Sequence, residues 1–320
     1  MKTDVRGLIV NTEDLNQRWI ERAKRLKLNE FGIHPGGGHM ADKLLDDAIA
    51  VHALKDTKKA IAELENSGIM VEYDAHVLSW LLPRKMHQMY PDWFRMDENG
   101  ERKPDYNMCA SNPDALDYVA DRSEILARLM KTNSHRYAYW IDDVKGYKCN
   151  CSACRALSAA DQALRIMNAM LRGIKRADPE AMLPYLAYHD TIIVPEKTQP
   201  LQGIYLEYAP INRDIHMAIN DETSDKNRAE SAYIRELIAF FGKKNSRVLE
   251  YWVDNSLFSN WTRPPKKMYF DSETMKKDVD FYHEVGFSQM TSFACFLGED
   301  YIDLYGEPDM DAYGRILLGE

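Results

Sequence analysis

Apolar and polar positions along this chain alternate between two regimes. Short runs dense in β-branched, aromatic and aliphatic residues recur at Val5 to Asn11, Asn29 to Pro35, Ile69 to His76, Tyr137 to Asp143, Met182 to Asp190, Gly203 to Pro210, Arg247 to Asn255 and Phe287 to Phe296. Nearly continuous apolar runs of this length, bounded by turn residues, predict strands buried on both faces. Between most of them lie longer stretches with helical spacing: Thr12 to Leu26, Ala41 to Asn66, Pro113 to Lys131, Leu157 to Ala177, Ala229 to Phe241 and Ser272 to Val285. Gly68, Asn245 and Gly286 stand where such helices should stop. Eight strands alternating with helices predict an α/β fold, a (β/α)8 TIM barrel rather than a doubly wound open sheet. The connection between the fifth and sixth strands lacks a helical pattern. No repeat and no domain-sized remainder is visible, so a single catalytic domain over residues 1–320 is expected.

Composition narrows the class. The chain has 320 residues, 45% of them hydrophobic, which is enough for one full core. Its formal net charge is -9, with no basic block, so neither nucleic acid nor an anionic membrane is expected as a partner. No apolar run of about 18 residues predicts a transmembrane helix. The N-terminus has no signal-peptide core, so a cytoplasmic protein is expected; a homo-oligomer is compatible with everything read so far.

The predicted strands end in polar and aromatic residues: His34, Asp74 with His76, Asp142 with Asp143, His189 with Asp190, Glu207 with Tyr208, and Trp252 with Asp254 and Asn255. For any one of them a solvated strand end is the plain alternative. Their recurrence points to one rim, where barrel strands deliver functional side chains. Acids, amides and aromatic rings together suit a carbohydrate, whereas a phosphate would call for more Arg, Lys and glycine-rich helix starts.

The strongest candidate is Tyr139-Trp140-Ile141-Asp142-Asp143. Two adjacent carboxylates repel, so one can keep a proton and serve as an acid while the other stays charged. That is the equipment for breaking a glycosidic bond. The alternative for Asp143 is a cap on the following turn. His34-Pro35-Gly36-Gly37-Gly38-His39 reads as a rim loop that approaches a ligand closely. It lacks the Lys-Ser/Thr of a phosphate loop. Arg84, Lys85, Arg95, Arg102 and Lys103, with Trp93 and Phe94, mark a long excursion after the third strand. Cys109, Cys149, Cys151 and Cys154 could complete a tetrahedral structural zinc site, the alternative being free buried thiols. Cys295 lies inside a strand pattern and reads as a small core residue. No cofactor is expected for catalysis.

Arg6-Gly7-Leu8-Ile9-Val10-Asn11, Lys27 to His34 and the Asp142-Asp143 pair resemble the hexosaminidase-like (β/α)8 glycoside hydrolases. Asn107-Met108-Cys109-Ala110-Ser111-Asn112-Pro113, with Asp143 and Cys149-x-Cys151-x-x-Cys154, is similar to a largely uncharacterised bacterial family of glycosidase-like barrels. The resemblance implies a retaining exo-β-N-acetylhexosaminidase in which the substrate's own acetamide attacks the anomeric carbon. N-acetylgalactosamine is the favoured released sugar, with N-acetylglucosamine beside it. Asp142 would orient the acetamide N–H, and Asp143 would act as acid and then base. Tyr208 or Tyr251 would hold the acetamide carbonyl, and Trp252 would line the sugar face. Glu207, Asp254 and Asn255 would bind its hydroxyls, with His34, Asp74, Trp140, His189 and Asp190 completing the set. Three other readings stand beside this one. One is a two-carboxylate glycosidase pairing Asp143 with Glu207 or Glu250. Another is a metallohydrolase of His34, His39, His189 and Asp190, which lacks paired-histidine spacing. The third is a non-catalytic sugar-binding barrel.

Overall fold

The computed structural model describes residues 2–320. Its strands are β1 (Val5–Asn11), β2 (Glu30–His34), β3 (Met70–His76), β4 (Ala138–Trp140), β5 (Leu183–Ala187), β6 (Ile204–Tyr208), β7 (Arg247–Glu250) and β8 (Gln289–Phe293). All eight fall inside the runs expected from the apolar pattern. They form one sheet in the order β4-β3-β2-β1-β8-β7-β6-β5, with parallel pairings throughout the register of β1 with β2 and β8, β3 with β4, and β7 with β6 and β8. A parallel bridge between Arg136 and Met182 joins the two ends of that order, which makes the sheet a (β/α)8 barrel.

The helices follow the expected stretches with informative differences. Ala41 to Asn66 is two helices, Ala41–Ala53 and Lys55–Asn66, because Leu54 takes an extended conformation between them. Thr12 to Leu26 keeps only Gln17–Arg25 as α-helix, started by the Asn16 side chain accepting from the Trp19 N–H. The helix Ala159–Ala177 opens with a capping box between Ser158 and Asp161. Only a short turn, His189–Thr191, stands between β5 and β6 as helical structure. No helix among the described residues is long and apolar enough to cross a membrane.

Close contacts group the chain into two compact units, residues 1–34, 53–72 and 207–320 in one and residues 35–52 and 73–206 in the other. The first unit has a charged interior. Arg247 is wholly buried and donates to Glu207 at 2.5 Å, to Glu30 at 3.1 Å and to Glu72. A buried guanidinium with five donors is the one side chain that can satisfy several carboxylates at once. The second unit is held by its longest helices, Pro113–Leu129 and Ala159–Ala177. At Gly173 they approach so closely that an added Cβ would lie 1.8 Å from the Ala120 carbonyl oxygen.

Candidate active site

In the unit formed by residues 35–52 and 73–206, β4 ends at Trp140 and the chain turns through Ile141 into the two acids. Their surroundings differ sharply. The Asp142 side chain is 4% exposed. Its Oδ2 accepts from the Arg84 guanidinium and, at 2.6 Å, from the Asn107 backbone N–H. Arg84 also donates to the Asn107 carbonyl oxygen at 3.1 Å, so one arginine ties the loop after β3 to the end of β4. Asn107 makes this possible by taking a left-handed conformation, φ 52°, which asparagine tolerates better than most residues.

Asp143 remains 35% exposed at its side chain. Its Oδ1 accepts from the Tyr188 hydroxyl at 2.9 Å and lies 4.0 Å from His76 Nε2. His76 is oriented by two supports. Its Nδ1 sits 2.7 Å from the Ile141 carbonyl oxygen, which can only accept, so Nδ1 carries a proton and Nε2 faces the acid. Its ring packs against Trp140 at 5.1 Å and Tyr188 at 6.2 Å between centroids. The glycine-rich loop closes in as well. A Cβ on Gly37 would lie 2.7 Å from Asp143 Oδ2 and 3.2 Å from the His76 ring. Glycine is therefore required there by close approach to the acid.

The turn after β5 supplies the other wall. His189 holds a left-handed conformation at φ 49°, with its ring 4.4 Å from that of Tyr188. Burial lowers the His189 pKa below the ordinary histidine value, against the opposing pull of Asp143 and Asp190. Asp190 Oδ2 accepts from the Gly146 N–H at 2.9 Å and so fixes the loop that follows Asp143. The structure thus brings Asp143, His189 and Asp190 together with His76 and with Gly37 of the glycine-rich loop, and adds two residues that the sequence did not single out for the site: Tyr188 and Arg84. His76 stood among the polar strand ends and Arg84 in the basic excursion. Tyr188 carried no signal of its own inside an apolar run.

Several expected sugar contacts are in the interior instead. Trp140 is 1% exposed and supports His76, so its role is packing beneath the acid. Asp74 is fully buried on β3. Asp142 is engaged at one oxygen, Oδ2, by Arg84 and Asn107.

In the unit formed by residues 1–34, 53–72 and 207–320, Glu207 is buried against Arg247. Tyr208 is buried and its hydroxyl donates to the Glu230 carbonyl oxygen at 3.0 Å. Trp252 is largely buried and its indole N–H donates to Asp278 at 2.9 Å. Asp278 and Glu250 share Arg213, at 2.7 and 2.5 Å, and Glu250 also accepts from the Tyr282 hydroxyl at 2.5 Å. Burial raises the Glu250 pKa, opposed mainly by Arg213. Asp254 caps the short helix Asn255–Phe258 by accepting from the Ser256 N–H at 3.1 Å. Its burial pushes it up to about 6. Asn255 is buried and donates to the carbonyl oxygens of Lys266 and Phe296. These polar residues hold the loop together, which a strand-end pattern cannot distinguish from ligand binding. His34 stays half-buried, its ring edge-on to Phe293 at 5.1 Å, and Tyr251 lies against the same Phe293 at 5.6 Å.

Cys109, Cys149, Cys151 and Cys154 are all buried, and their Sγ atoms lie within 4.8 Å of one another. They are the residues of the second unit that could hold a metal. Cys295 is a buried residue just past β8 and is not part of that group.

The chain belongs to the family described as a domain of unknown function, DUF4838, whose model matches residues 48–294. No curated protein matches it. Its structural neighbours are glycoside hydrolase barrels. The β-galactosidase from the psychrophilic Marinomonas ef1 is 11% identical, with a TM-score of 0.52 over 92% of this chain. The match spans 54% of that protein, about half its length. A hyperthermophilic endo-β-1,4-glucanase is 10% identical, TM-score 0.49, over 95% of this chain and 90% of its own. A catalytic module of the pneumococcal exo-β-D-N-acetylglucosaminidase is 8% identical, TM-score 0.47, over 98% and 83%. At these identities the likeness is one of fold.

Proposed function

We propose that this chain is a glycoside hydrolase whose general acid and base is Asp143, and that residues 1–320 act as one catalytic domain. The observation that carries the reading is the state of that carboxylate. It stands at the C-terminal end of a barrel strand and reaches solvent. It accepts from Tyr188 and faces His76. An acid so placed can give a proton to a leaving oxygen and later take one from water. Asp142, with its charge matched by Arg84, serves to fix the backbone beneath it.

The substrate class we favour is a β-N-acetylhexosaminide, with N-acetylgalactosamine as the released sugar. Two conventional nucleophiles are discouraged by their surroundings: Glu207 is sealed against Arg247 and Glu250 against Arg213 and Tyr282. A route that draws its nucleophile from the substrate fits that arrangement. The acetamide oxygen forms a bond to the anomeric carbon as the bond to the leaving oxygen breaks, and Asp143 supplies the proton that oxygen needs. Water then adds at the same carbon, giving its proton to Asp143 as the bond to the acetamide oxygen breaks, with retained configuration.

A second reading is favoured by one feature. Asp190 is a half-exposed acid, and it and Asp143 both act on His189. In that reading Asp190 would be the second carboxylate of an ordinary two-acid glycosidase. A thiazoline mimic of the cyclic intermediate separates the two. Strong competitive inhibition is expected for the acetamide route. A covalent sugar trapped on Asp190 would replace it with the two-acid route.

A further inference from the structure

The four buried cysteines have a geometry that packing does not require. Cys109 Sγ lies 3.7 Å from Cys151 Sγ and 3.8 Å from Cys154 Sγ. Four thiolates around one ion at about 2.3 Å each would stand about 3.8 Å apart along the edges of a tetrahedron. Disulfides would need sulfurs far closer. Two donors face the sulfur of Cys149. The Met96 backbone N–H points at Cys149 Sγ at 3.3 Å, and Arg102 Nη1 lies 3.7 Å from the same atom. The peptide between is held rigid: the Gln162 side chain accepts from the Cys149 N–H and donates to the carbonyl oxygens of Cys149 and Cys154.

We propose that Cys109, Cys149, Cys151 and Cys154 bind one zinc ion, and that this ion clamps the loop after β3 to the loop after β4. Four sulfur ligands in a closed, buried site suit a structural zinc rather than a catalytic one, which keeps an open position. The clamp has a definite target. Cys109 is two residues from Asn107, whose N–H holds Asp142, and whose side chain donates to the Tyr147 carbonyl oxygen at 3.2 Å, two residues before Cys149. The ion would therefore fix both chain segments that set the position of Asp142. The assignment stands on the sulfur geometry and does not depend on the glycosidase reading.

The test uses the full chain purified without chelator. Elemental analysis should find about one zinc per chain, and a mercurial titration should release it together with four thiols. Exchange of the zinc for cobalt should give the intense thiolate-to-cobalt charge-transfer absorption of a tetrahedral sulfur site. Cys151→Ser should lose that band and the bound metal. If this variant does not fold, the cobalt spectrum of the unaltered chain carries the test. Chelation should speed amide exchange at Asn107 and across residues 142–154 more than in the helix pair around Gly173. Metal-free protein, iron in place of zinc, or alkylation-resistant disulfides among the four would overturn the site. A uniform rise in exchange over the whole chain would overturn the clamp.

Discussion

Asp142 and Asp143 follow one another in the chain, yet one is buried against Arg84 and the other reaches solvent beneath a glycine loop. At residue scale, that asymmetry is the basis on which separate roles are proposed for them. Gly37 gives a direct check of the close approach. Gly37→Ala would set a methyl group 2.7 Å from Asp143 Oδ2, and the carboxylate, as the more exposed partner, must turn away. The expected outcome is a fall in kcat of about tenfold or more, on the order of the misplacement penalty for a catalytic group, with the melting temperature nearly unchanged. Steady-state kinetics beside a thermal melt decide it: unaltered kcat would show that the loop does not set the acid's position. The sequence made the pair itself visible, because adjacent acids at the end of an apolar run are unusual chemistry. It could not show which acid had a cationic partner, since Arg84 is 58 positions away from Asp142 in sequence and reaches it only through the fold.

At the scale of elements, the segment after β7 shows how a polar strand end can be structural. Asp254 looks like a ligand in sequence, but the fold uses it as a helix cap, and burial raises its pKa to about 6 from 3.8. A folded-state value above the unfolded one means that the native state binds the proton more tightly. The stability from this group is therefore fully present below about pH 4 and lost as pH rises through about 6. Asp254→Asn keeps a capping oxygen and removes the buried charge. Its melting temperature should exceed that of the wild type at about pH 8 and match it near pH 4. A variant less stable than wild type at the higher pH would contradict the sign. The number and order of the strands were legible because a short, continuous apolar run between turn residues fits a buried strand and little else, though runs such as Arg247 to Asn255 extend past the strand Arg247–Glu250. Helix limits were less so. The break at Leu54, an exposed residue in extended conformation, sits within an unbroken helical pattern, and the helices Glu299–Tyr305 and Asp311–Leu318 were too short to stand out.

At the scale of the whole molecule, the barrel carries an interior charge cluster that no local pattern announces. Arg247, Glu207, Glu30 and Glu72 come from four strands and meet only in the folded sheet. Each looked like an ordinary strand residue or, for Glu207, a sugar ligand. Removing the arginine leaves three buried acids without their shared donor. Arg247→Ala is expected to cost about 3–5 kcal/mol or more, the range for breaking a buried ion pair from one side. Chemical denaturation should show the loss, and a change below about 1 kcal/mol would mean that the cluster contributes little. Topology was legible because alternating strands and helices admit few arrangements; the partners inside it were not, because they depend on distances across the sheet.

The central claim, that Asp143 is the acid of a glycosidase, is tested most directly by one comparison. The rate of hydrolysis of a β-N-acetylhexosaminide with a poor leaving group is measured for the wild type and for Asp143→Asn, beside the matching glycoside with a 2-hydroxyl. The variant should lose about 10²–10⁴-fold in kcat/KM, the range that general acid catalysis supplies. The wild-type rate on the acetamide substrate should lie far above that on its 2-hydroxyl counterpart. Turnover by Asp143→Asn at the wild-type rate would contradict the assignment of Asp143 as the acid.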